Sequence, residues 1–399
     1  MAKKTIEQVD VAGKRVLIRV DFNVPVEAGA IGDDRRIREA IPTIKAVLSR
    51  GGSVVLMSHM GRPEGHGFEG AYSLSPVAKR LSDLLGTQVQ FPGTSCCDEA
   101  SGRAVAQLKP GQVLLLENLR FEEGEKKGDG ELAKKLAAYG DVYVNDAFGT
   151  AHRDDASMVA VPKSMAGKPR IAGSLLQKEL KYLGETLAKP ASPFVVILGG
   201  AKVSDKIELI ENVLPKADTV LIGGAMAYTF LAAIGRAVGA SRVETDKLGE
   251  AKRLIDHAAR AKCDLHLPKD HVCSSAFAET GGQISVHGES IPDGLIGLDI
   301  GPKTVTEYAL LIRKAKTVVW NGPMGVFEWK NFSVGTQQIA QAVAHATSLG
   351  ATTIVGGGDT ASAAEAFGVA DKVSHVSTGG GASLEMLAGK PFNSVNLLD

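Results

Sequence analysis

TTIVGGGDTASAAEAF, residues 352–367, reads as a strand, a turn of three glycines, an Asp-Thr pair and an alanine-rich helix. Thr353, Ile354 and Val355 form the β-branched run that suits a strand of a parallel sheet covered on both faces. Gly356, Gly357 and Gly358 let the next backbone come close to a ligand. Asp359 or Thr360 is expected to cap the helix. Free N–H groups and the positive end of the helix dipole would then face whatever lies above the strand, and phosphate is the usual occupant. An ordinary strand-to-helix turn fits the stretch equally well. The two readings separate only if other strand ends carry complementary groups.

The chain has 399 residues, more than one growing core usually accommodates, so two domains are expected. Lys plus Arg total 45, as do Asp plus Glu, which leaves no general electrostatic footprint for nucleic acid or an anionic membrane surface. Any anion binding must be local. Aromatic residues make up 5% of the chain while Gly, Ala and Val are plentiful, as close helix-on-sheet packing requires. The polar start MAKKTIEQVD lacks the apolar region of a signal peptide, and no stretch reaches the length of a membrane span. A soluble, cytoplasmic protein is expected. Cys96, Cys97, Cys263 and Cys273 are expected as reduced structural residues, the chain being large and the first two adjacent. Cys263, His266, His271 and Cys273 are close enough in sequence to suggest a metal, but alternation along CDLHLPKD puts Cys263 and His266 on opposite faces, so none is expected there.

Strand patterns fall at 15–20, 54–58, 113–117, 142–145, 194–198, 219–222, 263–267, 317–320, 352–355 and 372–377. Helical patterns fall between most of them, at 37–49, 75–85, 100–108, 131–139, 206–213, 225–233, 247–261, 335–346, 361–367 and 382–387. This alternation places the protein in the α/β class, with parallel sheets covered by helices on both faces. Residues 161–193 contain LLQKELKYLGETL and then Lys-Pro-Ala-Ser-Pro, the best candidate for a boundary with a connecting helix.

Ligands of such sheets bind outside the carboxyl ends of the strands. In the first half those ends read Asp21-Phe22-Asn23, His59-Met60-Gly61-Arg62, Asn118-Leu119-Arg120 and Asp146 through Arg153, with Arg36 at the start of RIREAIPTI. A single loop arginine is usually solvated surface. Several at one edge suit phosphate or carboxylate, which guanidinium forks match bidentately. The second half answers with glycines: GGAKVSDK from Gly199, GGAM from Gly223, NGPMGVFE from Asn321, GGGDT from Gly356 and TGGGAS from Thr378. Repeated close backbone approach, with Lys202, Lys206, Asn321 and Asp359, suggests a nucleotide polyphosphate and its metal ion. Lys202 and Lys206 would share one side of a helix beginning near Val203. GGAKVSDK is not a P-loop, and the literal G-x-G-x-x-G of residues 65–70 lies in a polar loop away from its strand, which counts against an NAD-dependent dehydrogenase. A cationic site in one domain and a nucleotide site in the other point to phosphoryl transfer across a cleft that closes. With no evident Asp-His base pair, an acceptor that is already a carboxylate fits somewhat better than a hydroxyl, although Asp21 or His59 could serve a hydroxyl as base. A non-catalytic two-domain binding protein is the other alternative.

DFNVP, RIREAIPTI, SHMGRP, YSLSPVAKRL, ENLRF, NDAFGTAHR, GGAKVSDKI, IGGAMAYTF, NGPMGVFE, GGGDTASAAEAFG and STGGGASLEMLAGK, in that order over about residues 11–390, resemble the phosphoglycerate kinase family in its bacterial form. The resemblance implies a monomeric glycolytic enzyme moving a phosphoryl group reversibly between 1,3-bisphosphoglycerate and ADP to give 3-phosphoglycerate and ATP, with Mg²⁺. It implies two doubly wound parallel-sheet (Rossmann-like) domains with a cleft between them. Residues 1–172 would form the 3-phosphoglycerate domain, with the tail 389–399 packing back on it. Residues 173–388 would form the nucleotide domain, including a connecting helix at about 174–188. Carried over by position, 3-phosphoglycerate lies against Asp21, Asn23, Arg36, His59, Met60, Gly61, Arg62, Arg120 and Arg153. The nucleotide lies against Gly200, Lys202, Lys206, Gly223, Gly224, Asn321, Glu328, Gly357, Gly358, Asp359 and Thr360, with Asp359 toward the metal. Transfer falls to Arg36, Lys202 and the amides at Gly358 and Gly380. Two departures stand out: Asp154-Asp155 where the family pattern has a neutral pair, and the ending PFNSVNLLD in place of Leu-Pro-Gly-Val, which puts the docking of the tail in question.

Overall fold

Arg15–Val20 reads RVLIRV and Ser53–Met57 reads SVVLM, and beyond the half-buried Arg15 both strands are buried on both faces. They are the centre of a six-stranded sheet in the computed structural model, which describes residues 3–27 and 29–399. In space the order is Val89–Gln90, Val113–Leu115, Ser53–Met57, Arg15–Val20, Val142–Asp146 and Arg170–Ala172, with every neighbour parallel. A second six-stranded sheet runs Asp264–His266, Thr219–Ile222, Phe194–Leu198, Thr317–Asn321, Thr352–Gly356 and His375–Val376, again parallel throughout. Both are doubly wound. The strand order reverses beside Arg15–Val20 in the first sheet and beside Phe194–Leu198 in the second, which is where such sheets open a ligand crevice.

One compact unit runs to Lys181 and takes in Pro391–Asp399, and the other is Tyr182–Lys390. The divide falls within a continuous helical stretch made of Ser174–Glu179, the π-helical Leu180–Glu185 and Thr186–Ala188. In the first unit, helix Arg35–Leu48 turns Ile37, Ala40, Ile44 and Val47 into the core, a spacing of three and four residues that makes one apolar stripe. In the second, Val334–Ser348 turns Ile339, Ala340, Val343 and Ala346 onto a core that holds Trp320 and Tyr308. Each fully buried aliphatic side chain of this kind stabilises by about 1.5–3 kcal/mol over an exposed one.

Several elements depart from the sequence expectation. Ile284–His287, His271–Ser274 and Ile296–Ile300 form a separate antiparallel sheet whose edge strand alternates between exposed and half-buried, too polar to read as core. Helix Pro302–Lys314 was not among the expected elements, although proline at its first position is a recognised start signal. The helix expected at 361–367 is Gly358–Ala366, so its N-cap is Gly357 and neither Asp359 nor Thr360 caps it. Likewise Lys202 and Lys206 do not share a helix, since the helix begins at Ile207 with Lys206 as N-cap.

The tail packs on the first unit in spite of its unusual ending. Phe392 meets Phe148 at 6.3 Å, Ser394 Oγ donates to the Ala151 carbonyl at 2.6 Å, and Asp399 pairs with Arg170 at 3.0 Å.

Asp146 accepts from the Leu175 and Leu176 amides at 2.9 and 3.2 Å and so caps Ser174–Glu179 from the end of strand Val142–Asp146. Burial pushes its carboxyl up to about 7, against the hydrogen bonds that favour the ionised form. A carboxyl whose folded pKa lies above its ordinary 3.8 contributes most at low pH, and that contribution is lost as pH rises toward 7. Urea unfolding should therefore show stability falling over this window by up to roughly 1.4 kcal/mol per pH unit from this group, and Asp146→Asn should flatten the fall. Superimposable pH profiles for the variant and the native chain would show that Asp146 does not titrate there.

Candidate active site

In the first unit the carboxyl ends of four strands converge on one edge. Arg15–Val20 runs into Asp21 and Asn23, Ser53–Met57 into His59 and Gly61, Val113–Leu115 leads to Arg120, and Val142–Asp146 leads to Arg153. Arg36, the second residue of its helix, donates to the Asn23 carbonyl at 2.9 Å and reaches Asp21 at 3.2 Å. The Asn23 side-chain oxygen accepts from the Gly61 amide at 2.8 Å, and the Gly61 carbonyl accepts from Arg120 Nη1 at 2.7 Å. Gly61 thus ties three strand ends together. Met60 is held on both sides by Asn118, which accepts from its amide at 3.1 Å and donates to its carbonyl at 2.8 Å. Arg62 lies next along this loop, exposed.

His59 is buried, with Nδ1 3.2 Å from Arg19 Nη2 and 3.8 Å from Asp21. Burial first, and then the cations of Arg19, Arg120, Arg153 and Arg36, hold its pKa well below the ordinary 6.5. The ring is neutral at physiological pH. Because Arg19 can only donate, Nδ1 is the acceptor and the proton sits on Nε2. Arg120 Nε and Arg153 Nη1 are buried donors with no hydrogen-bond partner. Unmet donors of charged groups cost about 1–3 kcal/mol or more each, and an anion with several oxygens would satisfy them.

Arg19 was not among the expected site residues. Its one sequence signal is an arginine inside an otherwise apolar strand. Asn118 and Glu117 were also missed: Glu117 accepts from Ser73 Oγ, Leu74 N–H and Asn118 N–H, each at 2.8 Å, and so fixes the turn that carries Arg120.

The corresponding edge of the second unit is built from backbone. Gly200 N–H donates to the Pro323 carbonyl at 3.0 Å, Gly224 N–H to the Met324 carbonyl at 2.9 Å, and Met226 N–H to the Gly200 carbonyl at 3.0 Å. These bonds draw GGAK, GGAM and NGPMG into one surface that includes Gly223. Gly357 takes φ +94°, a conformation that brings the turn over Asn321, whose amide donates to the Gly356 carbonyl at 2.8 Å. Thr360 is buried and its hydroxyl accepts from the Gly322 amide at 2.7 Å. Lys206 is buried and donates to the Asn321 side-chain oxygen. Burial brings its ammonium down to about 8, opposed by Asp205 and Asp359. Lys202, Glu328, Gly358 and Asp359 are exposed. Helices Gly358–Ala366 and Gly380–Leu387 both begin without a side-chain cap, so their leading N–H groups are available to a ligand.

Mg²⁺ binds hard oxygen donors and usually reaches a protein through one or two carboxylates plus substrate phosphates. Asp359 is such a donor, exposed in the first turn of its helix. Among the described residues no closer cage of metal ligands forms at this edge. The fit is therefore to a metal ion carried by a nucleotide. Cys263, His266, His271 and Cys273 do not converge: His266 pairs with Glu307 at 3.0 Å while His271 packs against Tyr228. The glycines of residues 65–70 precede a short 3₁₀ turn, Gly70–Tyr72, and not a helix that could carry a pyrophosphate.

The sequence profile described as Phosphoglycerate kinase matches residues 6–390. The chain is 57% identical over 403 aligned residues to the phosphoglycerate kinase of Rhodopirellula baltica, covering 100% of both, and 53% identical to that of Thermosipho africanus, covering 99% of this chain and 97% of the other. The solved phosphoglycerate kinase of Coxiella burnetii superimposes with a TM-score of 0.90 at 40% identity, covering 99% of this chain and 98% of that one. With a family profile spanning nearly the whole chain and relatives matched end to end, the protein belongs to the phosphoglycerate kinase family of glycolytic kinases.

Proposed function

We propose that the protein transfers a phosphoryl group reversibly between 1,3-bisphosphoglycerate and ADP, giving 3-phosphoglycerate and ATP. The observation that carries this reading is the pair of unmatched buried donors, Arg120 Nε and Arg153 Nη1, beside a neutral His59. Together with Asp21, Asn23, Arg36 and Arg62 they suit a small molecule bearing phosphate and carboxylate. The acceptor is a carboxylate, ionised at neutral pH, so no base need remove a proton. His59 agrees with that chemistry, because its Nδ1 lone pair is committed to Arg19 and its Nε2–H donates.

On the nucleotide side, Lys202 and Lys206 meet phosphate oxygens, the amides of Gly357, Gly358 and Gly380 face the transferring group, and Gly200, Gly223 and Gly224 border the adenine. Glu328 takes the ribose. Asp359 would hold Mg²⁺ bound to the nucleotide, which neutralises phosphate charge. Catalysis then lies in positioning and in charge stabilisation of the moving group by Arg36 and Lys202. All of these groups come from one chain, so the reading needs no second copy and is that of a monomer. Among the described residues no helix is long and apolar enough to cross a membrane. Two relatives from Crithidia fasciculata, 52% and 51% identical, are described as cytosolic and glycosomal, and our reading of action in the cytoplasm rests on the first.

Lys202 is exposed, so Lys202→Ala should leave the fold intact and lower kcat by about 10²–10³-fold, as loss of a donor to developing charge does elsewhere. Unchanged turnover at saturating substrates would remove it from the mechanism. Phosphates favour protonated Lys206, and the free protein holds that ammonium at about 8. Nucleotide affinity should therefore weaken as pH rises past about 8, with proton uptake on binding, and Lys206→Arg should abolish the dependence. Calorimetry in buffers of different ionisation enthalpy reads the proton directly, and no uptake near that pH would count against the contact. Because transfer brings both ligands into line, solution scattering should give a smaller radius of gyration with both substrates bound than with neither, and identical curves would refute closure.

A further inference from the structure

The turn before helix Glu99–Gln107 carries Ser95, Cys96 and Cys97, and it is fixed by the N-cap Asp98. That carboxylate accepts from the Thr94, Ser95 and Ser101 amides at 2.8, 3.1 and 2.8 Å, so the two cysteines are presented by a rigid loop. Cys96 Sγ, Cys97 Sγ and a carboxylate oxygen of Glu122 lie within 4.8 Å of one another. Ser95 Oγ donates to Glu122 Oε1 at 2.6 Å and orients it. Cys96 is buried while Cys97 and Glu122 are half-buried, which leaves a way in from solvent. Among the described residues no other three His, Cys, Asp or Glu side chains gather this closely. The expected role of these cysteines as inert structural residues does not account for the carboxylate aimed at them.

We propose that Cys96, Cys97 and Glu122 form a binding site for one thiophilic divalent cation, Zn²⁺, with water completing a tetrahedral shell. Two sulfurs and one carboxylate oxygen are a donor set that zinc accepts, and bonds of about 2.3 Å to sulfur and about 2.0–2.2 Å to oxygen require the three atoms to draw in by only about an ångström. Ser95 stands behind Glu122 as the outer hydrogen bond that holds a ligating carboxylate in place. Both sulfurs bind as thiolates, so binding forms two metal–sulfur bonds and one metal–oxygen bond and releases the thiol protons to solvent. None of the three ligands belongs to the phosphoryl-transfer machinery proposed above, and the site stands or falls independently of that reading.

Co²⁺, a spectroscopic substitute for Zn²⁺, tests this on the full-length reduced chain without nucleotide. The native protein should develop a thiolate-to-cobalt charge-transfer band with tetrahedral d–d bands, saturating at one ion per chain and displaced by Zn²⁺. Cys97→Ser should abolish the band and Glu122→Gln should weaken binding, while Ser95→Ala should cost about tenfold in affinity. Cys263→Ser should leave the spectrum as it is. All four variants are compared by circular dichroism with the native chain. Absence of a charge-transfer band in the native protein, or a band that survives in folded Cys97→Ser, overturns the proposal.

Discussion

A guanidinium removed from water is tolerated only where its donors find acceptors, and Arg19 is 0% exposed near the carboxyl end of the central strand Arg15–Val20 of the first sheet. Its Nε donates to Ser157 Oγ at 2.8 Å, Nη1 to the Val20 carbonyl and Nη2 to His59 Nδ1 at 3.2 Å. Ser157 Oγ passes the hydrogen bonding on to Glu125 at 2.5 Å, and Tyr143 closes the network on the Ser157 carbonyl at 2.9 Å. Burial raises the Glu125 carboxyl while Arg19 pulls it down, so each charge makes the other's position tolerable. This ladder runs beneath the arginine-lined edge. It fixes the tautomer of His59, and its cation is one of four that keep the ring neutral. An anion entering above therefore meets a donor, not an imidazolium that has to be maintained against its neighbours.

The second unit presents an edge of a different kind. Its two strands at the order reversal, Phe194–Leu198 and Thr317–Asn321, lie side by side and continue into loops that touch backbone to backbone. A Cβ at Gly322, where φ is +103°, would stand 2.2 Å from the Gly199 carbonyl oxygen. No side chain fits at that crossing. The loop amides there are spent on one another, and what stays available beside the exposed side chains is the leading N–H groups of two uncapped helices, partial charges already fixed in direction and needing little reorganisation. Only Lys206 puts a full charge into the interior here, and burial lowers its pKa accordingly. The contrast between a guanidinium edge and an amide edge suits one ligand of low molecular weight and one long polyphosphate.

The alternation of strand and helix was legible because buried parallel strands such as FVVIL and TVVWN are apolar without interruption. The clustering of Arg36, His59, Arg120 and Arg153 was legible because strand ends in a parallel sheet share an edge. The helix at 75–85 was met at both ends, but the helix start in the glycine-rich stretch was not. Whether Gly357 or Asp359 begins the helix depends on a backbone angle that glycine leaves open, and the structure gives the cap to Gly357. The pairing of Arg19 with Ser157 spans 138 positions, and that of Lys206 with Asn321 spans 115. No local pattern encodes such pairs. For Cys96 and Cys97 the neighbour that matters, Glu122, comes from the loop after a different strand.

The two sequence departures turn out to be partly one feature. Asp154 is exposed and accepts from Asn393 Nδ2 at 3.1 and 3.3 Å, and the adjacent Ser394 donates to the Ala151 carbonyl. Asp154 thus takes its partner from the tail, while the buried Asp155 stays close enough to Arg120 to favour its cation. An exposed pair of this type contributes little by itself, about 1 kcal/mol or less. With the Phe392–Phe148 contact and Asp399 on Arg170 it holds a single short segment. Two of those contacts land on residues 148–154, the turn that presents Arg153. Loss of either Asp154 or Asn393 removes the side-chain hydrogen bond that joins the two departures.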